Sequence, residues 1–167
     1  MPRSSPPLSG WFVVSLRPVG QHRPLLRVAE RLGAGGVSLP GLRLTAREDT
    51  PTRNALDAAL DCSRVIFTSP AAVRNATRLR PLHARKRQSV FALGSGTRSA
   101  LRRAGIADVL VPLQASSESL LLLPGLAAIA GARIGIVTAA GGRDLLVRTL
   151  RERGALRTQA GGRGGIA

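Results

Sequence analysis

Short, nearly all-apolar runs alternate with amphipathic stretches from Trp11 to Arg153, and this alternation leaves few folds open to the chain. Trp11–Leu16, Val37–Leu39, Arg64–Phe67, Ser89–Leu93, Asp108–Val111 and Arg133–Thr138 have the length and composition of buried strands. Between them the spacing predicts helices over Gln21–Leu32, Pro51–Leu60, the stretch after Ser69-Pro70, Gly94–Ala104, Ser116 or Ser117 to Ile129, and Asp144–Arg153. In the first helix Leu25, Leu26, Ala29 and Leu32 share a face, and Gly33, Gly35 and Gly36 end it. Pro51 and Pro70 fall in first turns, the position a helix tolerates. Strands separated by helices imply α/β architecture, with parallel sheets flanked by helices and right-handed crossovers. Runs apolar at every position suit a sheet covered on both faces.

The two ends differ from this rhythm. Residues 1–10 are rich in Pro and Ser and read as a flexible leader. From Leu156 the chain is glycine-rich and aperiodic, so residues 156–167 read as an irregular tail, as after an early stop or a change of frame. The strand that should follow the last helix is expected to be missing.

Charge suggests anionic partners without identifying one. The chain carries 25 Lys and Arg against 9 Asp and Glu, a net +16, and Lys86 is its only lysine. Such a field gathers nucleic acid, acidic lipid or a polycarboxylate alike, although an Arg bias beside abundant Ala and Gly also accompanies GC-rich coding. A basic nucleic-acid-binding module is the alternative reading. With aromatics at 2% and no Tyr, the chain lacks the platforms on which single strands stack. Cys62 is the only cysteine, which excludes an intrachain disulfide and fits a reducing compartment, with the cytoplasm as the default. Trp11–Leu16 is too short to span a bilayer and is stopped by Arg17-Pro18, so no membrane association is expected.

Ligands of parallel α/β sheets bind outside the carboxyl ends of the strands. That rule selects Arg17–Gln21, Thr68–Pro70, Gly94–Thr97, Ala115–Glu118 and Ala139–Arg143, each opening a helix whose free N–H groups can receive an anion. Ser69, Thr97 and Ser116 are equally good as ordinary helix caps. Gly94-Ser95-Gly96-Thr97 is half of a dinucleotide fingerprint, without its third glycine or a following acidic residue, and no P-loop is present. His22 and His83 have no triad or metal-ligand neighbours in sequence and read as surface residues; Cys62 reads as a semi-buried, inert thiol.

Taken in order, several segments resemble one family. Val13-Val14-Ser15-Leu16-Arg17-Pro18 with Gln21 resembles the opening strand and turn of bacterial uroporphyrinogen-III synthases. Val65-Ile66-Phe67-Thr68-Ser69-Pro70-Ala71-Ala72-Val73 resembles their strand ending in Thr-Ser before a helix. Phe91-Ala92-Leu93-Gly94 with Thr97, then Ala115 to Leu120, then Gly141-Gly142-Arg143-Asp144-Leu145 through Arg153-Gly154-Ala155, are similar to later elements in the same order.

The resemblance implies one complete flavodoxin-like domain over residues 42–155, inserted into a split domain of which 11–41 supply the opening βα(β) and the remainder is absent. It implies closure of hydroxymethylbilane to uroporphyrinogen III with inversion of ring D; a truncated, inactive and unstable product is a further alternative reading. No metal or organic cofactor, no nucleic acid and a monomeric state are expected. The substrate's carboxylates and polar groups would meet Thr68, Ser69, Gly94, Thr97, Ser116, Ser117 and Gly142, with Arg17 and Gln21 facing them from the other lobe; no catalytic acid or base is assigned.

Overall fold

The computed structural model describes residues 5–41, 43, 47–138 and 144–160, with backbone alone for 144 and 157–160. The chain forms two compact units, Met1–Thr45 and Ala46–Ala167.

In the first unit β1 (Phe12–Ser15) runs parallel to β2 (Gly35–Ser38), joined by α1 (Arg23–Arg31). Register runs from Phe12 opposite Gly35 to Ser15 opposite Ser38. Gly33 ends the helix turn with φ +87°, but Gly35 and Gly36, expected in the same turn, belong to the strand. Packing explains their presence there. A Cβ on Gly35 would lie 2.5 Å from the Phe12 ring and one on Gly36 2.9 Å from Leu26, so both side chains lie against bare backbone. The expected leader is also tethered over residues 5–10, where the Leu8 N–H donates to Leu32 O at 2.8 Å.

The second unit begins with α2 (Thr50–Leu60), capped by Asp49, whose carboxylate accepts from the Thr52 N–H at 2.8 Å. β3 (Arg64–Phe67), α3 (Pro70–Leu79), β4 (Ser89–Ala92) and α4 (Ser95–Arg103) follow. After them come α5 (Ser117–Leu121), a 3-10 turn at Pro124–Leu126, β5 (Arg133–Val137), α6 (Asp144–Glu152) and β6 (Leu156–Ala160). The sheet is parallel, in the order β4-β3-β5-β6.

Alternation along the strands divides the core in two. Val65, Phe67, Val90 and Ala92 pack with α2, α3 and α4, whereas Ile66, Phe91, Ile134 and Ile136 pack with α5, the 3-10 turn and α6. Each fully buried Ile, Leu or Phe contributes roughly 1.5–3 kcal/mol. The small residues set the spacing. A Cβ on Gly135 would lie 2.0 Å from Ala59 O, so only glycine lets α2 lie this close over β5.

Three expectations are corrected. The strand at Asp108–Val111 shrinks to a single bridge, Leu110 with Phe91, at the outer edge beside β4; Pro112 cannot donate to a continuing ladder. The helix from Ser116 or Ser117 to Ile129 stops at Leu121, because Pro124 and Gly125 break it into a 3-10 turn. The strand expected to be missing exists. β6 starts the supposed tail at Leu156 and pairs with β5 from Arg133–Leu156 to Val137–Ala160. Its ladder comes from β5, and α2 packs beside it, so it forms without the apolar run by which an isolated strand is recognised.

Candidate functional site

With the Leu110 bridge counted, the strands of the second unit stand in the order Leu110, β4, β3, β5, β6. Reading along the chain, successive strands first step outward from β3 through β4 to Leu110, then resume on its other side with β5 and β6. The reversal falls between β3 and β5. At such a reversal adjacent loops leave in opposite directions and open a crevice, which is where doubly wound sheets hold ligands.

Thr68 leaves β3 and Thr138 leaves β5 at this point. The Thr68 hydroxyl donates to Thr138 Oγ1 at 2.9 Å, and the Thr68 N–H donates to Val137 O at 3.1 Å. Both side chains are buried, at 8% and 3% exposure. A buried hydroxyl left unpaired costs about 1–3 kcal/mol, so the pair satisfies a need of the fold while concentrating polarity at the reversal. Thr138 was not among the expected site residues. Its only sequence signal is a polar side chain ending an otherwise apolar strand.

Neighbouring loops build the rest of the rim. Ser69 caps α3, its Oγ accepting from the Ala72 N–H at 3.1 Å, and Pro70 follows in the first turn. Gly94 caps α4 without any side-chain bond. A Cβ on Gly96 would stand 3.6 Å from Pro70 Cγ, and one on Gly94 would stand 2.8 Å from Ala115 Cβ. The loops at 68–70, 94–97 and 115–117 are therefore contiguous. Ser116 caps α5 by accepting from the Ser119 N–H at 3.1 Å, while Thr97 and Ser117 are buried. Ser69 and Ser116 accept cap hydrogen bonds through their oxygens, and the starts of α3 and α4 place backbone N–H groups at this rim. With five residues, α5 adds little dipole. Gly142 lies outside the described residues.

Arg17 and Gln21 belong to the first unit, where they follow β1. Arg17 is exposed and the Gln21 N–H turns back to Pro18 O at 3.0 Å. Here one expectation fails. His22 is buried at 8% exposure, with Nδ1 2.9 Å from Ser15 Oγ and a buried Nε2 that has no partner among the described residues. Its place before a helix suggested solvent; the carboxyl end of β1 folds back onto it instead. His83 is exposed as expected, and Cys62 is buried with its thiol donating to Ala58 O at 3.4 Å.

Arginines serve the scaffold as well as the field. Arg64 donates to Gly125 O, and Arg153 to Leu121 O and Leu126 O, closing carbonyls freed where α5 breaks. Arg80 pairs with Asp57 and Arg85 with Asp61 at the surface. Among the described residues no cluster of three or more His, Cys, Asp or Glu could hold a metal ion, and no helix is long and apolar enough to cross a membrane.

Comparison with known proteins fits this geometry. The family model for uroporphyrinogen-III synthase HemD matches residues 24–160. Among solved structures, the wild-type uroporphyrinogen III synthase of the extremely thermophilic bacterium Thermus thermophilus is 20% identical with a TM-score of 0.56, over 90% of this chain and 60% of that one. A mutant form of the same enzyme superposes with a TM-score of 0.60 at 20% identity, over 89% and 60%. These likenesses concern the fold, and the chain spans about 60% of the length of the structures it matches.

Proposed function

The chain belongs to the uroporphyrinogen-III synthase family, and we propose that it serves the reaction of that family, closing hydroxymethylbilane to uroporphyrinogen III with ring D inverted. The observation that carries the proposal is the contiguous rim at the strand-order reversal, where the Thr68–Thr138 hydroxyl pair sits beside the openings of α3 and α4.

The substrate is a flexible chain of four pyrroles bearing eight carboxylates. The hydroxyl of its terminal hydroxymethyl group departs as water, the methylene left behind is the electrophile that the substituted carbon of ring D attacks, and the resulting spiro intermediate rearranges before closure. The bond-making carbons all belong to the substrate. What a protein must supply is a fold of that chain in which the correct carbon attacks, together with hydrogen bonds to the departing hydroxyl. Holding reacting groups in place contributes as much as about 7–11 kcal/mol in favourable cases. The N–H groups at the starts of α3 and α4 suit carboxylates, and the Thr68 hydroxyl at the reversal suits the leaving group. Arg17 and Gln21 are proposed as further substrate contacts. The reading carries with it a monomer working in the cytoplasm without a metal or organic cofactor. Nucleic-acid binding is not favoured, since part of the arginine content is occupied in closing backbone carbonyls.

The test is to supply freshly generated hydroxymethylbilane to the full chain and separate the isomers after oxidation. Excess type III over the spontaneous type I product is the expected outcome; type I alone sinks the proposal.

A further inference from the structure

We propose that Thr138 is a positioning residue that acts through Thr68, holding its hydroxyl in one orientation at the point where the strand order reverses. The inference rests on the synthase reading for what the oriented hydroxyl does, but not for the orientation itself.

A threonine at the end of a strand has three staggered rotamers, and in a loop more than one is ordinarily open to it. Thr68 has its backbone already held on both sides: its own N–H is bonded to Val137 O, and the carbonyl before it, Phe67 O, accepts from the Leu93 N–H at 3.1 Å. The remaining freedom is χ1. The bond from Thr68 Oγ1 to Thr138 Oγ1 at 2.9 Å removes it, and removes it from the neighbouring strand rather than from the helix that Thr68 precedes. Burial of both side chains favours the bonded rotamer, because the alternatives give up this hydrogen bond.

The bond also decides what Thr68 can offer. A hydroxyl has one proton and two lone pairs. With one of these committed to Thr138, the Thr68 hydroxyl offers the rest in a fixed direction at the reversal, and carboxylates are left to the backbone N–H groups of α3 and α4. For a pyrrole chain this divides recognition between ring N–H or hydroxyl groups at the reversal and acidic side chains at the helix openings. Thr138, bonded to Thr68 and the more buried of the two, would govern this contact through the Thr68 hydroxyl.

The experiment uses the full chain as wild type, Thr138→Val, Thr138→Ser, Thr68→Val and the double Val variant, with uroporphyrin I as the octacarboxylate probe and fluorescence titration as the readout. Freeing Thr68 among three staggered rotamers lowers the competent fraction to about one third, about 3-fold in affinity. Thr138→Val is therefore expected to bind about 3-fold more weakly, Thr138→Ser close to wild type, and the double variant no more weakly than Thr68→Val. Unchanged binding by Thr138→Val, or an undiminished further loss in the Thr68→Val background, overturns the inference. Three-bond couplings to the Thr68 methyl are read in parallel, with one rotamer expected in wild type and Thr138→Ser and averaging in Thr138→Val. Should wild type not bind uroporphyrin, the synthase reading loses its support and the couplings alone decide; a Thr68 equally fixed in Thr138→Val then refutes positioning. Thr138→Ala carries the same expectations if the valine variant does not fold.

Discussion

The two parallel sheets of this chain are made from similar sequence and come to different ends. Phe12-Val13-Val14 and Val65-Ile66-Phe67 are equally apolar, yet Val65, Ile66 and Phe67 are buried while Phe12 is 72% exposed and Val14 51%. On the two-stranded sheet only one face meets α1. The other carries Phe12, Val14, Leu16, Val37 and Leu39 in the open, with Trp11 beside them. The four-stranded sheet has helices on both faces, and its two core clusters leave no strand side bare from β3 to β5. Apolarity therefore selects strand formation, but covering a sheet needs enough chain to lay helices on each side. Two strands alone bury too little to be stable in water, and a bare face of this kind is a surface for contact or aggregation.

The units also share a device. In each, the first strand ends in a buried hydroxyl residue bonded to a side chain from another element: Ser15 to His22, and Thr68 to Thr138. In the covered sheet the partner's hydroxyl is satisfied; in the smaller unit the ring keeps a nitrogen with no partner among the described residues. The same local solution is complete only where packing around it is complete.

This contrast can be broken at its strongest point first. Gly135→Val puts a side chain where Ala59 O already lies, and should cost more than about 3 kcal/mol or abolish cooperative melting of the second unit. A variant melting within a degree or two of wild type, followed by circular dichroism, would show that α2 is free to lift from the sheet. Leu56→Ala, which empties a buried site under the same helix, should lose about 2–5 kcal/mol in urea titrations. Ser69→Ala removes the cap of α3 and should cost about 1 kcal/mol, with Ser69→Asp restoring most of it. Leu16→Ser, on the bare face, should change stability by less than about 0.5 kcal/mol while lowering the binding of a hydrophobic dye. A loss there comparable to Leu56→Ala would mean that the open face is covered in solution.

The pH dependence sharpens the comparison at its gentlest. The Asp49 carboxyl is held below its ordinary 3.8, chiefly by hydrogen bonding from Thr52 with a smaller contribution from Arg47. A folded value below the unfolded one means that the cap's contribution is present above the unfolded value and disappears as pH falls through the folded one. Wild type and Asp49→Asn should therefore differ in stability near neutrality and converge under acid conditions, by an amount kept small by the group's exposure. A difference that persists in strong acid would show that the carboxyl's charge is not what caps α2.

Much of the rim was readable in advance. Thr68-Ser69-Pro70 announces a strand end, a cap and a first turn within three residues, and Gly94 opens a helix by the same local logic. These features depend on residues within a turn of one another, so a linear pattern contains them. His22, Thr138, Gly135 and β6 do not work that way. Thr138 matters because of a residue 70 positions away, Gly135 because α2 crosses above it, and β6 because β5 offers it an edge to pair with.

From its sequence alone this protein was committed to alternating strands and helices, to most of its caps, and to a set of polar loops at the helix openings, because the forces that select them act between near neighbours. Which strands lie side by side, where their order reverses, and therefore which two buried hydroxyls meet, was left to the packed fold. Those pairings are set by the burial of both sheet faces together, a free energy that no single segment carries.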